Sequence, residues 1–471
     1  MSSTFGGLNR ATTALWAAQR GLDVTGQNIA NVNTAGYTRQ RVELTAINGS
    51  VAPAIFAKGD GIGSGVDADS VTRIRDAFLE ARGRVETATT AQLTVESSAL
   101  TGIEQSFREP GTTGIQQMLT DVWAGFSALS SSSKESGARQ VVIERLNTLA
   151  AGIRSTDTSL DKQWSDTHDS LSALVTDVNS KATAIAGLND KIRIGTISGT
   201  AVNELTDQRD KLVMSLAEQV GAKAVVRDNG VLDVTVGGST LVSGTAVVGL
   251  KVAGAGSSAG VSTDPVRVIT NPGGATLNFG GTAQGQLNVL NQIVPSYRTQ
   301  LDSLAASLAS SMNTAHAAGL DQNGVAGAAL FGTPSGSGAV TAANITVKIT
   351  DPAKLAAAGP APGGGFTENG NNADAMYKLS LDPTGVNATY RQLIVSLGVQ
   401  SSVSSQGLAV QTVVRDQVDA ARESVAGVNL DEEMTSMMSY QHAYAAAGRL
   451  VTAIDEALNT LINGTGLVGR G

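Results

Sequence analysis

The side chains that could do chemistry are few, and their spacing argues against most of what they could do. Cysteine is absent, which excludes disulfides, thiolate metal sites and cysteine nucleophiles. The three histidines, His168, His316 and His442, leave almost no room for a histidine zinc site or a Ser–His triad. His442 has no second His or carboxylate at metal-ligand spacing. Asp321-Gln322-Asn323-Gly324 begins like a calcium loop, but Gly332 stands where the twelfth position needs a carboxylate, so a turn is expected. Gly59, Gly61, Gly63 and Gly65 alternate without completing a phosphate-binding motif and read as an extended linker. Gly464 to Gly469 does match G-x-G-x-x-G, yet no helix can follow it to hold a pyrophosphate, and it reads as a frayed tail. The acidic run Asp431-Glu432-Glu433 suits the positive end of a helix dipole better than acid/base work. No catalytic residue, metal site or cofactor is therefore expected.

Composition points the same way. The chain of 471 residues carries 33 basic and 41 acidic side chains, a net charge of -8. With no basic run, it is not expected to bind nucleic acid, because phosphate recognition needs clustered Lys and Arg. No stretch approaches the roughly 18 uninterrupted apolar residues of a membrane span, so no membrane insertion is expected. The first twenty residues lack a charged head followed by an apolar core, the mark of a secretory signal. Charged residues are only 16% of the chain, so its surface must lean on Ser, Thr, Asn and Gln.

What remains is periodicity. Leu8, Leu15, Leu22 and Ile29 recur every seven residues, with Ala11, Ala18, Thr25 and Val32 three later in each repeat. That is the a/d seam of a coiled coil. At the other end Leu430, Met437, Tyr444, Val451 and Leu458 form one row, and Tyr440, Ala447, Ile454 and Leu461 a second. Such narrow seams are marginal alone, so the two ends need each other or neighbouring subunits. Further helical stripes run through Leu160, Trp164, Leu171, Leu174, Val178, Ile185, Leu188 and Ile192, and through Leu205, Leu212, Leu216 and Val220 up to Gly221. Another runs from Leu287 to Leu308 with a kink or fresh start at Pro295, and a last one takes Val410, Val414, Val418, Ala421 and Val425.

Two segments break this period. Ala222 to Val248 alternates, with turns at Asp228-Asn229-Gly230 and Gly237-Gly238, and reads as an antiparallel meander. From Leu320 to about Pro383 the chain is rich in Gly, Ala, Asn and Pro, with one expected strand over 343–349. The expected fold is mainly α with β insertions: terminal helices forming a coiled coil, a long-helix bundle, and outward β-rich lobes. The divisions are 1–48 for the N-terminal helix, 49–220, 281–320 and 390–425 for the bundle, 221–280 and 321–389 for the insertions, and 426–471 for the C-terminal helix.

The densest motif is Asn28-Ile29-Ala30-Asn31-Val32-Asn33-Thr34-Ala35-Gly36-Tyr37-Thr38-Arg39-Gln40. It reads as a helix end followed by a polar turn in which Gly36 can take positive φ. Three Asn in six residues exceed what one cap needs, which suits amides that bond to another subunit. This segment resembles the N-terminal signature of flagellar axial proteins, and its Gly36-Tyr37-Thr38-Arg39-Gln40 continuation is similar to the hook-associated protein 1 family of hook–filament junction proteins. Other segments agree: Gly59-Asp60-Gly61-Ile62 leading to Arg73-Ile74-Arg75-Asp76-Ala77-Phe78-Leu79, then Asp207-Gln208-Arg209-Asp210, and Asn313 to Phe331. So do Gly427-Val428-Asn429-Leu430-Asp431-Glu432-Glu433-Met434 and Tyr440-Gln441-His442-Ala443-Tyr444.

The resemblance implies a non-enzymatic structural protein, exported by the flagellar type III apparatus and placed outside the cell in a homo-oligomeric ring between hook and filament. The implied partners are the hook protein, the second hook–filament junction protein and a cytoplasmic export chaperone. Leu8, Leu15, Leu22, Asn28, Ile29, Asn31, Asn33, Gly36, Tyr37, Leu430, Met437, Tyr440, Tyr444 and Val451 are the expected assembly interface. Leu450, Ile454, Leu458 and Leu461 are the expected chaperone-binding face. A rod or hook subunit, and a secreted adhesin or enzyme with its activity in 321–389, are the alternatives.

Overall fold

The computed structural model describes residues 4–47, 63–360 and 366–464. The Gly59 to Ile62 stretch and the tail beyond Gly464 lie outside these described residues. The first heptad stripe forms helix α1 (Thr4–Ala30), which stops well short of the expected residue 48. After the polar turn, β1 (Gln40–Ile47) pairs antiparallel with β2 (Gly65–Arg73). This hairpin replaces the helical start expected from residue 49. Its signal was the period-two run Val42, Leu44, Ala46 set between Arg41, Glu43 and Thr45.

The body follows. Helix α2 (Ala77–Phe107) is opened by Asp76, whose carboxylate accepts the Phe78 and Leu79 N–H groups. Then come α3 (Ile115–Ser131), the 62-residue α4 (Ser136–Ile197) and α5 (Asn203–Val220), which ends at Gly221. At 1.5 Å per residue α4 is about 93 Å long, and the stripe from Leu160 to Ile192 packs along it, mostly buried. Strands β3 (Lys223–Val226), β4 (Leu232–Val236), β5 (Ser239–Ser243) and β6 (Ala246–Val247) form the expected antiparallel meander. Strands β7 (Gly249–Ala253) and β8 (Arg267–Asn271) form a separate pair. The stripe around Pro295 divides into α6 (Gly281–Asn288), a π-helical turn (Val289–Ile293) and α7 (Val294–Ala317), with Pro295 in the first turn of α7. The backbone stays helical on both sides of Pro295, and the Leu290 carbonyl in the π turn before it accepts the Trp164 indole N–H at 2.9 Å.

The strand expected over 343–349 shrinks to β10 (Thr346–Val347), which pairs with β9 (Phe331–Gly332). Asn344 instead closes a turn by accepting the Thr341 N–H at 2.8 Å, while Ile345 and Ile349 point into the core. The apolar alternation recorded burial, not a long ladder. The Asp321 segment is the expected turn: its carboxylate accepts the N–H groups of Asn323 and Val325 at 2.8 and 2.9 Å. Helix α8 (Asn371–Lys378) then leads to α9 (Val386–Ala426) and α10 (Leu430–Asn459).

One hydrophobic core joins these parts. It runs from Leu100, Trp123 and Leu146 through Val234 and Val242 of the meander to Leu301, Phe331, Ile345 and Met376. Each insertion is fastened by helix asparagines whose amides take both backbone groups of one residue. Asn179 holds Leu250 (2.9 and 2.8 Å), and Asn189 holds Leu232 (2.8 and 3.1 Å). Asn291 does the same for Val266, and Asn313 for Phe331. A primary amide presents one donor and one acceptor, as a neighbouring strand would, so it satisfies backbone that a smooth helix would leave unpaired.

The last stripe divides. On α9, Val418 is buried against α2, but Val410 and Val425 are exposed, contrary to a single packed row. The helical stretch containing α9 also holds an 18-residue window whose length and mean hydropathy would suit a membrane span. Counting uninterrupted apolar residues misses it, because Ser and Gln recur every few positions.

His316 is fully buried and neutral by construction. Its Nδ1 donates to the Ala328 carbonyl at 2.5 Å and its Nε2 accepts the Ala356 N–H at 2.8 Å. Burial, only partly opposed by the Ala328 bond and Asp321, lowers its pKa below the ordinary value. A lowered folded pKa means that this stability is complete above about pH 6.5, the unfolded value, and is lost as pH falls toward the folded value. Melting temperature should therefore drop on acidification through this window, and His316→Gln should flatten that slope. An unchanged slope in the variant would show that another group carries it.

Candidate assembly joint

Helices α1 and α10 lie antiparallel along one seam. Gly7 faces Ile454, Gly21 faces Tyr440, and Asn28 reaches Glu433, three contacts in a single register. A Cβ on Gly21 would stand 2.5 Å from the Tyr440 ring. Ala11, Ala18, Thr25 and Ala447 are buried in the seam. The expected large-residue row is displaced to its flank: Leu8, Leu15, Leu22 and Ile29 are half-buried. Small residues let two helices approach more closely than a leucine row can, so they occupy the centre. On α10, Met437, Tyr440, Val451, Ile454 and Leu458 are half-buried, whereas Leu430, Tyr444 and Leu450, and Leu461 in the π-helical turn after it, are exposed. Of the face expected to bind a chaperone, Ile454 thus already packs against α1.

At the end of α1 the polar motif closes on itself. Asn28 is 1% exposed and makes four hydrogen bonds within the chain. Its amide nitrogen donates to the Gln40 carbonyl (2.9 Å) and to Glu433 Oε2 (3.0 Å). Its oxygen accepts from the Tyr37 hydroxyl (2.8 Å) and the Gln40 N–H (3.0 Å). This is the same amide clamp that fastens the insertions, here binding α1 to β1 and α10. The expectation that Asn28 bonds outward to another subunit is thereby corrected: no donor or acceptor of its amide is left over. Asn31 bonds only to its own segment, donating to Gln27 O and accepting from the Thr34 hydroxyl at the surface, while Asn33 is exposed. Gly36 takes φ 85°, the left-handed conformation that the turn requires. Burial, reinforced by the carboxylates of Glu204, Asp207 and Glu433, pushes the Tyr37 hydroxyl well above its ordinary pKa, so it remains a donor.

Charge carries the connection onward. Arg39 donates Nε to Glu433 at 2.7 Å and Nη1 to Glu432 at 2.6 Å. Burial works against its cation, but the two carboxylates outweigh it and raise its pKa. Thr38 gives its N–H and hydroxyl to Asp207, at 3.1 and 2.8 Å. Arg73 bridges Asp207 and Asp210 at 2.7 and 2.9 Å, and Arg75 binds Asp210 and Glu80. Arg422 completes the chain by pairing Glu80 and Asp419 at 3.0 and 2.8 Å. Two sets of ion pairs, Arg39 with Glu432 and Glu433 and the larger set from Arg73 to Asp419, are linked by the Thr38 hydrogen bonds to Asp207, and Asn28 adds α1, so that α1, the hairpin, α2, α5, α9 and α10 meet in one joint. A cleft of about 920 Å³ opens beside it, lined by residues 31–39 together with Arg75, Asp207, Lys211, Arg422 and Glu432, and without a histidine. Arg39, Arg75, Asp207, Arg422 and Glu432 of its lining are held in the ion pairs and hydrogen bonds just described.

Sequence periodicity brings together the two terminal helices but misses the joint's charged members. Glu433 lies seven residues before Tyr440, so the second α10 row extends to it; a carboxylate on an apolar row was the available signal. Asp207 and Asp210 stood in a segment singled out only by resemblance. Arg73 and Arg75 likewise stood in a segment noted only by resemblance, and Glu80 and Arg422 carry no periodic mark.

Comparison with known proteins follows the same division into ends and body. Residues 100–331 match the helical domain of flagellar hook-associated protein FlgK. Residues 8–38 match the flagella basal body rod protein family, and residues 422–464 the C-terminal region of flagellar basal body rod FlgEFG proteins. Flagellar hook-associated protein 1 of Bacillus subtilis is 30% identical over the full length of both chains. The chain belongs to the flagellar hook-associated protein 1 family. The Escherichia coli member of that family is 26% identical, with 97% of this chain and 99% of that one covered. Among solved structures, the flagellar hook junction protein FlgK from Burkholderia pseudomallei has a TM-score of 0.63 and 17% identity. It covers 73% of this chain and 100% of its own, a likeness of fold. The two rod-type matches fall on α1 and α10, the paired helices, and the matched helical domain falls on the body that the joint holds to them.

Proposed function

We propose that this chain is a structural, non-enzymatic subunit of the hook–filament junction, assembling after export into a ring of copies outside the cell. The observation that carries the reading is the terminal pair: its seam is closed by small residues and Asn28, which leaves the leucine row of α1 half-exposed along its flank. Leu430, Tyr444 and Leu450 are exposed on α10, as is Leu461 in the π-helical turn that follows it. A helix pair of this kind is complete inside yet leaves apolar side chains uncovered among the polar ones outside, the form expected of an element that docks on its own copies. The hook protein and the second hook–filament junction protein are the proposed axial neighbours. An export chaperone is proposed to cover Leu450, Leu458 and Leu461 before secretion.

The test is Leu15→Asp in the full chain. The seam lies elsewhere on α1, so the secreted monomer should keep its circular dichroism and melting temperature. Burying an unpaired carboxylate between copies is strongly unfavourable, so cells should retain hooks and lose filaments. Normal filaments would sink the assembly role of this row. Deleting the gene separates the alternatives: loss of the hook as well would favour a rod or hook subunit, and an intact filament would remove the junction reading altogether. An adhesin or enzyme in 321–389 is less favoured, since that segment contributes Leu330, Phe331, Ile345, Leu355 and Met376 to the common core.

A further inference from the structure

Helix α9 presents a second apolar face that nothing among the described residues covers. Tyr390, Leu393, Leu397 and Val418 are turned into the body. On the opposite side Val395 (65% exposed), Val399, Val403 (64%), Val410 (67%) and Val413 recur at helical spacing. Gly398, Ser402, Gln406 and Ala409 lie among them, also exposed. From Gln392 to Val414 there is no charged residue. An ordinary solvated helix face is not built this way: the outer side of α4 carries Asp161, Lys162, Asp166 and Asp169.

We propose that this valine stripe is a lateral contact with a second copy of this chain in the assembled ring, an inference that rests on the junction reading above. Two features select that occupant. The chain carries a net charge of -8, so copies repel each other wherever acidic surfaces meet; a charge-free face is where they can come together without opposing carboxylates. The second feature is size. The stripe runs about 27 Å at 1.5 Å per residue, and a helix about 10–12 Å wide presents roughly 300 Å² along it. Two such faces bury about 600 Å², half or less of the roughly 1,200 Å² that a stable complex needs. A partner that must hold the free monomer would be held too weakly. A contact made between copies already joined at their terminal helices needs no more, because the first contact makes the second intramolecular. The interspersed Gly, Ser and Ala allow a neighbouring helix to approach closely, and the β-branched valines are stiff and lose little entropy when covered.

A benzophenone amino acid at position 403 of the full chain, irradiated in intact flagella, tests this. The expected product is a ladder of crosslinked copies of this chain, absent from the secreted monomer. The same probe at position 15 reports the terminal contact. A ladder from 15 with none from 403 overturns the valine contact and leaves the junction reading standing. No ladder from either position removes both. Crosslinks from 403 only to the hook protein, a chaperone or another protein also overturn it. In parallel, Val399→Glu with Val403→Glu should leave the monomer's melting temperature unchanged, since both side chains are exposed. It should lower the fraction of hooks bearing filaments about tenfold or more, because an unpaired carboxylate must be desolvated in every contact. Full filament retention by this folded double variant would likewise refute the contact.

Discussion

Asn28→Leu is expected to detach the terminal helices from the body while leaving both largely folded. The substitution keeps the volume but strands the Tyr37 hydroxyl, both backbone groups of Gln40 and one oxygen of Glu433, all of which Asn28 now serves. Each buried group left unpaired costs about 1–3 kcal/mol, and four are stranded in one shared network, so a loss of roughly 4 kcal/mol or more is expected for the joint. Native-state hydrogen exchange would register this as lost protection in β1 and α10, with α4 and the meander unchanged. Asn28→Asp should be worse still. It keeps the acceptor, loses both donated bonds, and sets a second carboxylate beside Glu433, which Arg39 alone must then balance. Unaltered exchange in α10 for both variants would mean that the clamp does not hold the joint.

Gly21→Val should split the seam from the middle. The Tyr440 ring already occupies the space where a Cβ would stand, 2.5 Å away, so a branched side chain must push the helices apart or expel the ring. Overpacking of this kind costs about 1–3 kcal/mol. A helix pair is only marginally stable without its partner face, so the loss falls on the terminal helices alone. Circular dichroism should show lower helix content with an unchanged main melting transition, and incorporation into flagella should fail. Tyr440→Ala in the Gly21→Val background should restore much of the helix content by vacating that space. If the second substitution deepens the defect, the Gly21–Tyr440 contact is not the centre of the seam.

The two effects show which parts of the molecule local pattern could announce. Periodicity located both terminal helices and placed Ala11, Ala18, Tyr440, Ala447 and Ile454 on facing rows. It assigned the leucine row to the centre of the seam, because a heptad pattern ranks positions by hydrophobicity alone. Close approach of backbones, which puts Gly21 and the small residues there, is a property of two helices and not of one. The hairpin after α1 was legible in principle from its alternating residues, but the helical stripes on either side outweighed so short a run. The asparagines illustrate the same limit. A helix-facing amide at Asn28, Asn179, Asn189, Asn291 or Asn313 looks like an ordinary polar residue until the strand backbone it holds is in place.

The order of helix, insertion and helix, the absence of thiols, the paucity of histidine and the amphipathic ends are local facts, and the chain itself determined them: composition and spacing along one segment suffice. Tertiary structure alone decided that Glu433, Arg39, Asp207, Arg73 and Arg422 form one joint, and that five valines of α9 face outward. The reason is distance in sequence. Asn28 and Glu433 are 405 residues apart, and pairing of charges or exposure of a face depends on which elements pack together, a choice made by the whole core.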